Sequence, residues 1–433
     1  MIRKYALYLG ALVLALSLSI ASAACGGGDD DGGAEEGTGT VSVLSLWGGG
    51  EQEAFQEVLA AFTEETGIRT QYESARDFLP VIRSRLAAGN PPMVAIIPRP
   101  GIVEDLANEG SLISLEDLGL DVDAINENYT EAWTNLTDVD GTTYGVVAKA
   151  NSKSVVWYRP DDDAVQPVET WDELVQLTEE LQQAGGGQAP WSLGAQDSWT
   201  ITDWFENIYA RTAGPEMYEQ LFSGELDFTD QSVKDALTML TDLLNEDTVQ
   251  GGINGSLGTA FVDGIGKVFS ANPTAHLYME GGFVGGIALA DVNPNLEPGE
   301  TIDFFPFPTI EEEHGDPLVG GGDITAAFVN NEDVARLIEY LASPEAGRVW
   351  VNSGAIVSPN QAVEDDAYPN DLVRKEAEQV KSAEVFVFDG SDLLPGALGE
   401  DWGTLLQNVL KNPDSMDSQL ESFQQQAEDA FAG

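Results

Sequence analysis

Residues 41–68 read VSVLSLWGGGEQEAFQEVLAAFTEETGI. The run Val41 to Trp47 is short, apolar and rich in β-formers, and Gly48-Gly49-Gly50 stops it. Glu51 to Thr66 then sets Phe55, Val58, Leu59 and Phe62 at the three-to-four spacing of one helical face, and Gly67 supplies the residue on which such helices end. Ile68 to Tyr72 resumes an extended pattern, Leu79 to Ala88 is helical up to Asn90-Pro91-Pro92, and Met93 to Ile97 is a buried-strand run. Strand and helix alternating at this interval predict a mostly parallel sheet with right-handed crossovers, whose ligands sit beyond the carboxyl ends of the strands. Trp47 and Arg99 stand at two such ends.

The same reading extends downstream. Asp140-Gly141 marks a tight turn, and Thr143 to Tyr158 is a long extended run with Lys149, Asn151 and Lys153 at its middle, long enough to cross between lobes. Trp171 to Leu181, Trp204 to Arg211 and Val233 to Leu244 are helical by period, and glycines break the chain at 185–187, 251–252 and 281–286. Ile324 to Val329 reads as a strand, Asp333 to Leu341 as a helix, and Ser343-Pro344 opens another short helix through Trp350. With 433 residues the chain exceeds what one core usually supports, so two domains are expected.

Composition narrows the chemistry. Asp and Glu number 74 against 19 Lys and Arg, a formal charge of −55 that repels phosphate backbones and anionic lipid headgroups. Nucleic acid is therefore excluded as a partner, and the acidity itself reads as a surface suited to concentrated salt. One Cys and two His, His276 and His314, rule out a disulfide scaffold, a zinc ribbon and any multi-His centre, so neither metal nor cofactor is expected. Gly255-Ser256-Leu257-Gly258 has the wrong spacing for a nucleophile elbow, and Gly266-Lys267-Val268 lacks the rest of a P-loop. No catalytic residue is assigned. Trp47, Trp199, Trp204 and Trp402 sit beside Gly, Asp or Thr at what read as element ends, where packing is the commoner role of an indole and stacking on a sugar ring the other, while Trp157 and Trp350 lie inside apolar runs and read as core.

The N-terminus is an address. Arg3 and Lys4 precede the apolar run Tyr5 to Ile20 and the small residues Ala21 to Ala24, the layout of a secretory signal over 1–24. Cys25 follows directly, resembling the lipidated cysteine of bacterial lipoproteins, although Ala21-Ser22-Ala23 also suits ordinary cleavage. Residues 25–40 (CGGGDDDGGAEEGTGT) bear no large apolar side chain and read as a flexible acidic tether.

Several segments together resemble the extracytoplasmic solute-binding proteins of ABC importers, in the carbohydrate-binding branch that includes maltose-binding protein. They are 44–68 (LSLWGGGEQEAFQEVLAAFTEETGI), 143–160 (TYGVVAKANSKSVVWYRP), 321–360 (GGDITAAFVNNEDVARLIEYLASPEAGRVWVNSGAIVSPN) and 388–399 (FDGSDLLPGALG), with DSWTITDWFENIY and ARTAGPEMY pointing to α-glucoside binders. The resemblance implies a two-lobe α/β fold of the periplasmic-binding-protein type II class, with lobe 1 formed by 41–148 plus 318–355 and lobe 2 by 149–317 plus 356–433. It implies an importer's receptor, acting as a monomer, that closes on a carbohydrate, presents it to the transmembrane permease subunits, and touches the membrane only through its lipid anchor. The ligand-binding positions it implies are Trp47, Glu51, Arg99 (where the α-glucoside branch often carries Gln), Lys149, Asn151, Trp199, Asp203, Glu280, Phe283, Asp323, Asp389, Asp392 and Trp402, with Gly322 and Asp323 at the return crossing. Two other readings stay open on residues alone: a secreted glycoside hydrolase using a carboxylate pair, and a receptor for a polyamine or other cation.

Overall fold

The computed structural model describes residues 39–354 and 356–432. The signal sequence, Cys25 and nearly all of the acidic tether lie outside the described residues; the expected tether has ended by Gly39, whose amide donates to Asp333 Oδ2 at 2.7 Å. Twelve strands follow in chain order: β1 (Thr40–Ser45), β2 (Arg69–Ser74), β3 (Val94–Ile97), β4 (Asp138–Val139), β5 (Thr142–Thr143), β6 (Gly145–Ser152), β7 (Val155–Tyr158), β8 (Ala189–Ser192), β9 (Ala275–Glu280), β10 (Asp303–Pro306), β11 (Leu318–Ala327) and β12 (Phe386–Phe388). The first sheet has the order β12-β11-β3-β1-β2, with β6 along the other edge of β11, and the second has the order β10-β7-β9-β8. β1 runs parallel to β2 and β3, and β8 parallel to β9; antiparallel pairings enter where the crossing strands join, β6 and β3 on β11, and β7 on β9 and β10.

The helix Gly49–Thr66 buries Ala54, Phe55, Val58, Leu59 and Phe62, the face its period predicts, and ends on Gly67 at φ 75°, a left-handed conformation that costs glycine little. The Asp140-Gly141 turn has φ of 54° and 81°, as a tight hairpin between β4 and β5 requires. Two apolar clusters cover the two faces of the first sheet, one built on Phe55, Phe62, Leu337 and Trp350 and the other on Ile82, Val103, Leu106 and Trp133. The second sheet is likewise covered on both faces, by a large cluster holding Trp191, Trp204, Phe205 and Trp402 and a smaller one holding Trp157, Phe269 and Phe304. Each sheet thus has its own core, which makes two lobes.

The extended run 143–158 is two strands, because Lys153 and Ser154 break it and send β6 to the first sheet and β7 to the second. The chain returns between β10 and β11 and crosses again after β12. This last crossing corrects the expected boundary at 355: Val357, Val363, Tyr368, Val373 and Ala377 pack in the first lobe's core, and β12 pairs with β11, so the change of lobe falls near residue 389. Gly321 and Gly322 let β11 lie tight on β6: a Cβ at 321 would stand 2.9 Å from Lys153 Cε, and one at 322 would stand 2.7 Å from the Lys149 carbonyl oxygen.

Candidate functional site

Two lysines on the first crossing organise the cleft. Lys149, on β6, places Nζ 2.8 Å from Glu51 Oε1 and 3.4 Å from Asp323 Oδ2, and 4.7 Å from the centroid of the Trp47 ring. Burial alone would lower its pKa, yet the two carboxylates outweigh it and hold the ammonium well above the ordinary lysine range. Lys153 follows at the crossing itself, its Nζ 3.2 Å from Asp203 Oδ1, paired with Asp389 Oδ2, 3.8 Å from Asp392 Oδ2, and 5.7 Å from the centroid of the Trp199 ring. Here too burial opposes the charge and the carboxylates prevail.

The acids around Lys153 outnumber it. Asp203 lies in the second turn of the helix Trp199–Thr212 and has no exposed surface. Burial pushes its carboxyl up to about 7, against the pull of Lys153, and Asp389 pushes the same way. Glu280, the last residue of β9, is buried beside it and is raised well above the carboxylate range by burial and by Asp203. As acceptors alone, Asp203 Oδ2 and both Glu280 oxygens have no donor among the described residues, and burial together with mutual repulsion favours the protonated form of these carboxyls. Asp392 rises to about 7 through burial and the nearness of Asp389. Asp389 goes the other way: despite burial, Lys153 and the hydroxyl of Ser391 (2.8 Å from Oδ1) keep it below its ordinary value. Glu206, one turn along from Asp203, fixes this loop by accepting the amides of Gly390 (2.9 Å) and Ser391 (3.0 Å) and the hydroxyl of Tyr218 (2.7 Å).

The two lobes meet at the mouth of this site. Arg99, at the end of β3 in the first lobe, reaches Asp392 Oδ1 at 3.2 Å and Glu400 Oε1 at 3.7 Å in the second. A Cβ on Gly50 would stand 3.4 Å from Ala290 Cβ, so the glycine turn after β1 also touches the opposite lobe. Trp199 is half-buried against Phe261 and Phe283, ring centroids 4.8 and 6.0 Å away, which makes an aromatic wall beside Lys153. Asn151 lies between the lysines on β6 with a buried Oδ1 that has no partner. A hollow of about 380 Å³ on the second lobe and one of about 570 Å³ beside the crossings share no residue with this site.

Most of the residues that the resemblance implied are brought together here: Glu51, Arg99, Lys149, Asn151, Trp199, Asp203, Glu280, Phe283, Asp323, Asp389 and Asp392. Trp402 is not. It sits in the second lobe's core with no exposure, its ring 5.1 Å from those of Phe205, Phe228 and Phe423, and Trp204 is packed the same way against Trp191. Trp47 lies at the cleft but is only 2% exposed, with Phe55 and Trp350 against it, so it backs Lys149 and offers no open stacking face. The hub that sequence reasoning left out is Lys153. Part of its signal was present, since 149, 151 and 153 alternate along the run that reads as one strand, although β6 itself ends at Ser152.

The sequence profile of the bacterial extracellular solute-binding proteins matches residues 48–348. This chain belongs to that family. The osmoprotective compounds-binding protein GgtB of Synechocystis is 38% identical over 83% of this chain and 85% of its own length. The alpha-glucosides-binding periplasmic protein AglE of Rhizobium meliloti is 32% identical over 83% of this chain and 81% of its own. Among solved structures, the bacterial solute receptor AcbH, described with a preference for β-D-galactopyranose, superposes with a TM-score of 0.80 at 18% identity, over 91% of this chain and all of that one. The two-lobe fold is thereby that of a solute-binding protein. Among the described residues no helix is long and apolar enough to cross a membrane.

Proposed function

We propose that this solute-binding protein is the extracytoplasmic receptor of an ABC importer for a carbohydrate of the α-glucoside type, held by Cys25 to the outer face of the cell membrane. The observation that carries the reading is the site between the lobes: fixed carboxylates around Lys153, contributed by the helix Trp199–Thr212 and the loop after β12, next to the open ring of Trp199. A sugar presents a C–H face to an indole and a rim of hydroxyls to charged acceptors and donors, and such hydrogen bonds are worth about 1.5 to 3 kcal/mol each. The name of AglE, 32% identical to this chain, supports the same class of solute, while that of GgtB, 38% identical, supports an osmoprotective compound.

In this reading Arg99, Glu51, Lys149, Asn151 and Asp323 hold the sugar from the first lobe and crossing strand, and Trp199, Asp203, Glu280, Phe283, Asp389 and Asp392 from the second. Neither lobe carries the full set, so closure and capture are one event. The closed form, a monomer, then docks on the permease. No bond is made or broken.

A thermal-shift screen against α-glucosides, other sugars, polyols and polyamines tests this. An α-glucoside raises the unfolding midpoint by mass action, with little dependence on salt. A rise only with polyamines, weakening steeply as salt is added, overturns the carbohydrate reading.

A further inference from the structure

The hollow of about 570 Å³ lies where the chain changes lobes. Its walls include Phe307 and Thr309, just past β10, and Gln379, Ser382 and Glu384, just before β12, which flank two of the three crossings. Arg211, at the end of the helix that begins with Trp199, forms part of it. In a chain with 74 acidic residues, this arginine is 2% exposed and, among the described residues, within ion-pair distance of no carboxylate. Only Nη1 is engaged, donating to the Asn207 carbonyl at 3.1 Å and to Asn207 Oδ1 at 3.0 Å, while Nε is buried without a partner and the guanidinium lies 5.0 Å over the Phe307 ring. Burial pulls it down to about 10, and Asp316 is the charge that opposes this. Gln379 donates from Nε2 to the Ser154 carbonyl at 3.2 Å, and its Oε1 is buried with no donor.

A buried cation without an anion and a buried acceptor without a donor, both on residues that line one hollow, state what would satisfy them. A carboxylate answers the planar guanidinium and a hydroxyl answers Gln379, with Phe307 as the apolar wall. The volume falls in the range of about 300 to 1,000 Å³ that small-molecule sites occupy. Glu384 and Asp316, both exposed, stand against a multiply charged anion. We infer that this hollow is a second ligand site, for a small hydroxylated monocarboxylate, built into the crossing between the lobes. It is also wired to the cleft. Asn207, which Arg211 holds, donates from Nδ2 to the Lys153 carbonyl at 2.8 Å and accepts the Ser154 hydroxyl at 2.6 Å. An occupant that fits one arrangement of the crossings better than another shifts lobe closure by that difference in affinity.

The test is calorimetric titration of the purified chain, with no sugar present, using lactate and gluconate as probes and glycerol and sodium chloride as controls. The expected result is saturable binding of a carboxylate, no binding of glycerol, and slower amide exchange at 152–155 when the carboxylate is bound. Ser382→Trp fills the hollow from an exposed position; it should abolish the heat and leave the unfolding midpoint unchanged. Arg211→Gln should weaken binding at least tenfold, and because that residue is buried, Ser382→Trp decides the matter if Arg211→Gln fails to fold. No saturable binding of either carboxylate, or binding that survives Ser382→Trp, overturns the site; unchanged exchange at 152–155 overturns its link to closure. A failure of the carbohydrate screen would leave this result untouched.

Discussion

Lys149 and Lys153 stand four residues apart on the first crossing, one on β6 and the other just past its end, each over a tryptophan and each held by carboxylates, yet their surroundings differ. Lys149 is met by Glu51 and Asp323, the first 28% exposed, and rests on a tryptophan that belongs to the first lobe's core. Lys153 is met by Asp203, Asp389 and Asp392 with Glu280 behind them, and by a tryptophan that is half open. The first group is close to a structural ion pair. The second carries more acid than it can ionise, and its unmet hydrogen-bonding capacity is what a polar solute would fill.

The largest effect expected from that contrast is at Lys153. Lys153→Met strands three carboxylates in a dry site, and breaking a buried pair costs about 3 to 5 kcal/mol, so denaturant unfolding should show a loss at the upper end of that range. Lys149→Met should cost clearly less, since Glu51 can turn to solvent; equal losses would erase the distinction between the two lysines. Trp47→Ala should cost about 3 to 4 kcal/mol by opening a cavity between Phe55 and Trp350. A marginal cost there would place Trp47 with the open tryptophan instead.

Titration separates the groups further. Asp203 and Asp392 are raised from the ordinary 3.8 to about 7, so between those values the folded protein holds protons that the unfolded chain has released. Their contribution is complete below about pH 4 and is lost as pH climbs to 7; Asp389, which is lowered, runs the opposite way below pH 4. Unfolding free energies measured from pH 5 to 8 should fall, and Asp203→Asn, neutral at every pH, should flatten that slope. A slope unchanged in Asp203→Asn would mean that the acidity of the whole surface, and not this cluster, sets it. The smallest effect is at Trp199: Trp199→Ala should weaken solute binding roughly tenfold, about 1.4 kcal/mol, with the unfolding midpoint little moved.

Much of the fold was legible because it is written in local period. Phe55, Val58, Leu59 and Phe62 declare a buried helical face whatever they pack against, and Gly67, Asp140-Gly141 and Ser343-Pro344 mark their turns and caps by backbone preference alone. The cleft was legible through strand ends and quoted motifs, down to Asp203, Asp389 and Asp392. The tryptophans were not. Trp47, Trp204 and Trp402 each neighbour Gly or Asp, as loop residues do, but what covers an indole is a ring from another part of the chain, such as Phe423 on Trp402. Lys153 shares the alternation of 149 and 151, but the run 143–158 shows no local mark of the break that turns it toward the second lobe.

The sequence by itself determined the elements, their alternation, the great acidity and the family, since these rest on period, backbone preference, composition and motif. Only the tertiary structure decided which indole lies in core and which in cleft, where the third crossing falls, and which carboxylates crowd one another, because burial and charge coupling depend on residues such as Lys153 and Asp389 that stand far apart along the chain and meet only in the fold.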